Sequence, residues 1–193
     1  LRAVATDGHR LALSDVEAQI PETAAPQVIV PRKGVLELAR LMEDDDAFTE
    51  ITLSKTFLRS TTEDFTFTSK LIDGKFPDYE RVLPRGGDKI VTADRIALRD
   101  SLNRASILTN EKYRGIRLQF EPDLLKLQAN NPEQESAEEE VNINYSGPNL
   151  EMGFNVNYLQ DILNVMSTTQ AKLTLSDENS SLLMSEDGND SCA

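Results

Sequence analysis

The chain has one cysteine, one histidine and no tryptophan among its 193 residues. A lone Cys192 excludes an internal disulfide framework and any cysteine-based zinc site within one chain. His9 alone excludes a histidine-rich metal centre. No apolar run approaches the ~20 residues needed to cross a bilayer, and no charged-then-apolar leader opens the chain, so a soluble protein without an export signal is expected. Gly86-Gly87 is no phosphate loop, because no Gly-x-x-x-x-Gly-Lys-Ser/Thr pattern exists here. Asp44-Asp45-Asp46 and Glu138-Glu139-Glu140 lack the spacing of a calcium loop and read as solvated charge runs. No metal and no cofactor are expected.

What is present is globular in character. Hydrophobic residues make up 39% and charged residues 27% of a length that suits one large domain or two of about 100 residues. Acidic residues outnumber basic ones by 33 to 20, a formal net charge of -13. A protein that grips nucleic acid through one large basic face looks different, yet screening over ~10 Å lets patches of opposite sign act separately. The chain opens at Leu1 inside an alternating apolar pattern and stops at Ala193 just after a strand-like run, so a piece of a longer protein is expected.

Periodicity gives the organisation. Leu1 to Ala5 and Leu11 to Val16 flank Asp7-Gly8, a dipeptide suited to a tight hairpin turn. Beyond a Pro21 to Pro26 loop, Val28-Ile29-Val30 reads as a short strand. Pro31 then opens an amphipathic helix from Lys33 to Met42, with Val35, Leu38 and Leu41 three apart and Asp44 to Asp46 as its stop. A meander is expected at Phe48 to Leu53, Phe57 to Thr61 and Phe65 to Ile72, then a breaker-rich connector from Asp73 to Asp88. The pattern returns with a strand at Ile90-Val91, a helix from Asp94 to about Leu108 and strands at Arg117 to Phe120, Leu124 to Ala129 and Val141 to Tyr145. Leu150 to Phe154 leads to a third helix, Val156 to Met166, followed by strands at Lys172 to Leu175 and Ser181 to Met184. The strands that feed the helices begin at Ile29, Ile90 and Met152, about 60 residues apart, a spacing that means duplicated supersecondary units. The fold class is α+β, repeated antiparallel sheet segments with one amphipathic helix each.

Two chemical readings stand beside each other at this stage. Asp7 and His9 suggest a hydrolytic acid–base pair, but no motif places a serine or cysteine nucleophile, and the turn already accounts for Asp7. The first helix carries Arg32, Lys33 and Arg40 against Glu37 alone, and the second turns Arg104 away from its Leu98, Leu102 and Ala105 stripe. Those basic faces read either as a site for nucleic acid or as plain solvated helix surface, and a generic interaction domain fits them too.

Several segments together resemble the bacterial DNA polymerase III beta subunit family, the sliding clamps. They are Val4-Ala5-Thr6-Asp7-Gly8-His9-Arg10-Leu11-Ala12, Val28-Ile29-Val30-Pro31-Arg32-Lys33-Gly34 and Lys75-Phe76-Pro77-Asp78-Tyr79. Further along come Asn110-Glu111-Lys112-Tyr113-Arg114-Gly115, Asn130-Asn131-Pro132-Glu133-Gln134-Glu135 and Gly153-Phe154-Asn155-Val156. The resemblance implies a DNA-clamp fold, with residues 1–82 as a second clamp domain lacking its start and residues 83–193 as a third lacking its final strand and tail. It implies a bacterial, cytoplasmic, non-enzymatic ring of two subunits that encircles duplex DNA without reading sequence. Such a ring tethers the replicative polymerase, the clamp loader and other proteins carrying a clamp-binding motif.

Residue by residue, the resemblance assigns a peptide-binding pocket to Thr6, Gly8, His9, Arg10 and Leu11, to Pro77, Arg81 and Val82, and to Asn155, Tyr158 and Ser181, with Tyr158 as a gate. By the same resemblance, Arg32, Lys33, Arg40 and Arg104 would face DNA. The resemblance likewise assigns Ile107, Leu108, Glu133, Glu135, Glu138 and Glu139 to the ring interface.

Overall fold

The computed structural model describes residues 1–18, 20, 27–42, 49–84 and 86–186. The Pro21 to Pro26 loop, Asp44 to Asp46, Phe48 and Cys192 lie outside the described residues. In chain order the elements are β1 (Arg2–Thr6), β2 (Leu11–Asp15), α1 (Arg32–Leu41), β3 (Glu50–Leu53), β4 (Phe57–Thr61), β5 (Thr66–Lys70), a 3-10 turn (Tyr79–Arg81), β6 (Lys89–Asp94), α2 (Arg95–Ser106), β7 (Gly115–Glu121), β8 (Leu124–Asn130), β9 (Ser136–Asn144), β10 (Leu150–Asn155), α3 (Val156–Val165), β11 (Gln170–Leu175) and β12 (Leu183–Glu186). They form two compact units, one of Leu1–Glu17 with Leu83–Ala193 and one of Ala18–Val82.

In the smaller unit β3, β4 and β5 form an antiparallel meander. Both of its turns use one device. The Ser54 hydroxyl accepts from the backbone N–H groups of Thr56 and Phe57, and the Thr62 hydroxyl accepts from those of Asp64 and Phe65, the hydroxyl version of an Asx turn. α1 meets this sheet through Gly34, its only buried residue, where an added Cβ would collide with Ser69 Oγ.

Two expectations fail in this unit. Val28 to Val30 forms no strand: among the described residues it has one backbone bond, Ile72 N–H to the Ile29 carbonyl at 2.9 Å, rather than a ladder. The α1 stripe is not buried either: Val35 is 50% exposed and Leu41 41%. The helix approaches the three strands by its glycine, so its larger apolar residues are left outside that contact.

In the larger unit β1 and β2 pair in register from Arg2↔Asp15 to Thr6↔Leu11. The rest builds a seven-stranded antiparallel sheet in the order β10-β7-β8-β9-β6-β11-β12. Strict alternation buries Ile116, Leu118 and Phe120 on β7, Leu125, Leu127 and Ala129 on β8, and Ala171, Leu173 and Leu175 on β11, one face of each strand turned to a common core. α2 and α3 cover that face with Leu98, Leu102 and Ala105, and with Val156, Leu159 and Leu163. Each helix starts on a side-chain cap, Asp94 Oδ1 accepting from Ala97 N–H at 2.8 Å and Asn155 Oδ1 from Asn157 N–H at 3.0 Å, the usual service of Asp and Asn at that position.

The two repeated units of this half do not keep separate sheets. β6, which feeds α2, pairs with β11, which follows α3; β10, which feeds α3, pairs with β7, which follows α2. β9 joins the two parts of the sheet, bonding β8 from Ser136 to Asn142 and β6 only at Ile143 and Asn144. β9 also starts five residues before the expected Val141. Its glutamates are no solvated run but a strand, Glu138 and Glu140 outward and Glu139 on the helix side with Val141 and Ile143. Leu173→Ala should cost about 2–5 kcal/mol in urea unfolding, because a fully buried side chain leaves a cavity. Val35→Ser on the exposed face of α1 should stay within about 0.5 kcal/mol.

Candidate functional site

The tip of the β1–β2 hairpin is a tightly bonded turn. Gly8 holds φ at 87°. Asp7 Oδ1 accepts from the His9 and Arg10 N–H groups, both at 3.0 Å, while Thr6 Oγ1 donates to the Arg10 carbonyl at 2.8 Å and accepts from Gly8 N–H. Those two backbone N–H bonds, with Arg10 adding less, hold the Asp7 carboxyl below its ordinary range. Asp7 is therefore a turn acceptor rather than a base poised near neutrality, which leaves the hydrolytic reading without its first residue.

With Thr6, Asp7 and Gly8 committed to the turn, His9 and Arg10 are carried onto α3. The His9 ring stacks on Tyr158 with centroids 6.3 Å apart and planes 23° from parallel. The Arg10 guanidinium lies over the same ring at 4.7 Å, a cation–π arrangement. Its Nε donates to Asp7 Oδ2 at 3.1 Å and its Nη1 to Asp161 Oδ2. Leu11 begins β2, half-buried, opposite Thr6.

The structure thus brings His9, Arg10 and Tyr158 together. Asn155 caps α3 and its amide donates to the Tyr113 carbonyl at 3.3 Å. Ser181 is exposed in the loop between β11 and β12. Pro77, Arg81 and Val82 belong to the other unit, where all three are exposed and Arg81 pairs with Asp78 at 2.8 Å. Asp161, the far partner of Arg10, escaped the sequence reading. No local pattern marks an ion pair 151 residues apart.

Two of the four basic residues singled out on the helices, Arg40 and Arg104, already have acidic partners. Arg40 pairs with Glu37 at 2.8 Å. Arg104 grips Glu139 with two bonds, 2.9 and 2.6 Å, and also donates to Ser101 Oγ at 2.8 Å. Arg104 and Glu139, expected at a DNA-facing wall and at a ring interface, are thus one α2–β9 tie. Arg32 and Lys33 are exposed and make no ion pair among the described residues. Of the remaining residues assigned to the ring interface, Ile107 is 76% exposed and Leu108 half-buried. Glu133 is exposed, Glu135 accepts from Asn131 Nδ2 at 2.7 Å, and Glu138 from Gln128 at 3.1 Å. β9 leaves its second edge unpaired from Ser136 to Asn142 among the described residues, and unpaired edges are where another strand can add.

A 680 Å³ groove runs over Gly115, Arg117, Gln128, Ser136, Gly153 and Asn155 on the outer side of β7 to β10, and nothing in the sequence announced it. The described residues include no group of three or more His, Cys, Asp or Glu able to hold a metal ion, and no helix among them is long and apolar enough to cross a membrane.

A duplicated strand–helix–meander unit on one continuous antiparallel sheet, with a hairpin seated on a helix, places the molecule in the structural class of the DNA sliding clamps. The comparisons agree. The crystal structure of the Pseudomonas aeruginosa DNA polymerase III subunit beta superposes with a TM-score of 0.95 at 62% identity, covering 99% of this chain and 53% of that one. A Bartonella birtlesii sliding clamp bound to griselimycin matches with a TM-score of 0.93 at 40% identity, over 99% of this chain and 52% of that one. Residues 1–78 match the central domain and residues 80–193 the C-terminal domain of the DNA polymerase III beta subunit. The chain belongs to the DNA polymerase III beta subunit family. Curated relatives include the beta sliding clamps of Pseudomonas aeruginosa, 62% identical over all of this chain and 53% of that protein, and of Escherichia coli, 45% identical over all of this chain and 52% of that protein. The chain spans about half the length of the curated relatives it matches.

The Arg104–Glu139 tie has a pH signature. The Arg104 hydrogen bond, more than its charge, pulls the Glu139 carboxyl below the usual glutamate range. A depressed folded-state value means that the stabilisation is complete above the ordinary range and is lost as pH falls through the folded value. Glu139→Gln should lower the thermal midpoint by a few degrees at pH 7. As the pH falls through the depressed folded-state value of Glu139, the melting points of the variant and the unaltered chain should converge.

Proposed function

We propose that this chain is the central and C-terminal portion of a bacterial sliding clamp, a cytoplasmic, non-catalytic ring of two subunits that encloses duplex DNA. It would tether the replicative polymerase, the clamp loader and other partners by a short peptide. The observation that carries this reading is the hairpin tip on α3: a preorganised turn delivers His9 and Arg10 to Tyr158 beside Asp161. A rigid surface of aromatic, cationic and backbone groups suits peptide docking, because little ordering remains to be done when the partner arrives. Leu11, Pro77 and Val82 would supply apolar contacts for the anchors of the peptide, and Asn155 and Ser181 polar ones, with Tyr158 as the residue that opens or covers the slot.

Enclosing DNA does not require tight contacts. Arg32, Lys33, Arg40 and Arg104 would meet phosphates loosely and without base readout. Ile107, Leu108, Glu133, Glu135, Glu138 and Glu139 would flank the ring contact along the open edge of β9, whose acidic border favours a basic partner strand over a second β9.

Two measurements on the complete protein test this reading. Calorimetry with a glutamine-led peptide ending in apolar residues should show binding that Leu11→Asp weakens at least about tenfold, since a charge then occupies the apolar slot. Retention after loading should differ between circular and linear duplex DNA, the ring sliding off free ends. Tight, sequence-selective binding to linear duplex at physiological salt would contradict a topological tether.

A further inference from the structure

Arg10 carries more than the turn requires. Asp7 already has two backbone N–H donors in the turn, yet the Arg10 guanidinium also reaches Asp161 on α3, with its centre 4.7 Å from the centroid of the Tyr158 ring. The pair is open to water: the side chain of Arg10 is 38% exposed and that of Asp161 59%. An ion pair so exposed contributes little and exchanges readily. The stacking and the Asp7 bond, by contrast, keep the guanidinium in place when Asp161 leaves. A planar cation fixed on an aromatic face, with one exchangeable carboxylate, is the arrangement that accepts a carboxylate from elsewhere with both its charge and its fork geometry.

We propose that Arg10 is a carboxylate-exchange anchor, with Asp161 as an internal stand-in that an acidic group of the docked partner peptide displaces. The inference rests on the peptide-docking reading above and adds what that reading lacks, a preference for peptides that bring a negative charge to this corner. It also gives Asp161 a role in specificity. The stand-in weakens every acidic ligand a little, and it keeps Arg10 from gathering stray anions when the site is empty.

The test is calorimetry on the complete protein with four peptides of one glutamine-led apolar sequence. An interior aspartate is present or replaced by asparagine, and the chain end is a free carboxylate or an amide. Two variants accompany the unaltered protein, Asp161→Asn, isosteric and on an exposed position, and Arg10→Gln. In the unaltered protein, acid-bearing peptides should bind about two- to five-fold more tightly than their neutral counterparts. Asp161→Asn should widen that gap by a similar factor, and Arg10→Gln should erase it. Which of the two acids matters identifies the group as a side chain or a chain terminus. Equal affinity for charged and neutral peptides in the unaltered protein, or an Asp161→Asn effect that is the same for both, would overturn the exchange while leaving peptide docking intact. No binding of any of the four would remove the docking reading and this inference with it.

Discussion

The exchange of strands between the two repeated units of the larger body is the constraint on which the rest depends. β6 completes its ladder on β11 and β10 on β7, so neither unit can satisfy its backbone without the other. That exchange brings the start of α2 to the end of α3. There Arg95 donates to the carbonyls of Leu163 and Thr168, at 3.1 and 2.7 Å, and serves as the polar partner that the α3 C-terminus would otherwise lack. Nearer the other end of the pair, Gln160 bonds Asn103 at 2.8 Å. The two helices are thereby fixed antiparallel, with the first turns of α3 presenting Tyr158 and Asp161 where the hairpin tip arrives. The geometry of the candidate site is thus a consequence of the sheet order rather than of the site residues alone.

The hairpin contributes by spending its polar groups locally. Thr6 and Asp7 close the turn on backbone partners, and the positive φ of Gly8 lets the chain double back without strain. What the tip then presents is His9 and Arg10, both laid on α3. A looser turn would leave those side chains with more conformations to lose on docking, and the entropy of that loss falls directly on affinity.

Legibility in the sequence follows the range of the interaction involved. β4 lies where alternation and its flanking turn residues place it, Phe57 to Thr61, because its signal is local. The start of β9 was hidden because Glu138, Glu139 and Glu140 look like a solvated run until a facing strand and α2 are known. Only then does the inward Glu139 acquire Arg104. The α1 stripe misled for the converse reason. Periodicity reports which residues share a helix face but not how closely a neighbouring sheet approaches it, and here Gly34 sets that approach. The Arg10–Asp161 pair lies beyond any local pattern, since it depends on β1–β2 and α3 meeting across most of the chain.

The acidity of the chain and a role on DNA are compatible for a physical reason visible in Arg104. Its guanidinium already holds a carboxylate through two short bonds. A phosphate approaching it replaces one anion with another in a screened environment, and the net gain is the small difference between two similar interactions. An unpaired arginine would gain the whole contact. Pairing the basic side chains of a DNA-facing wall with internal carboxylates therefore lowers the depth of each phosphate site without removing the positive charge that orients the duplex. A ring that must stay on DNA and still move along it needs shallow sites of this kind, because its hold comes from closure rather than from contacts. With 33 acidic residues against 20 basic ones, any surface of this chain that carries the net acidity would repel a phosphate backbone, and a local basic patch would be the favourable place for one.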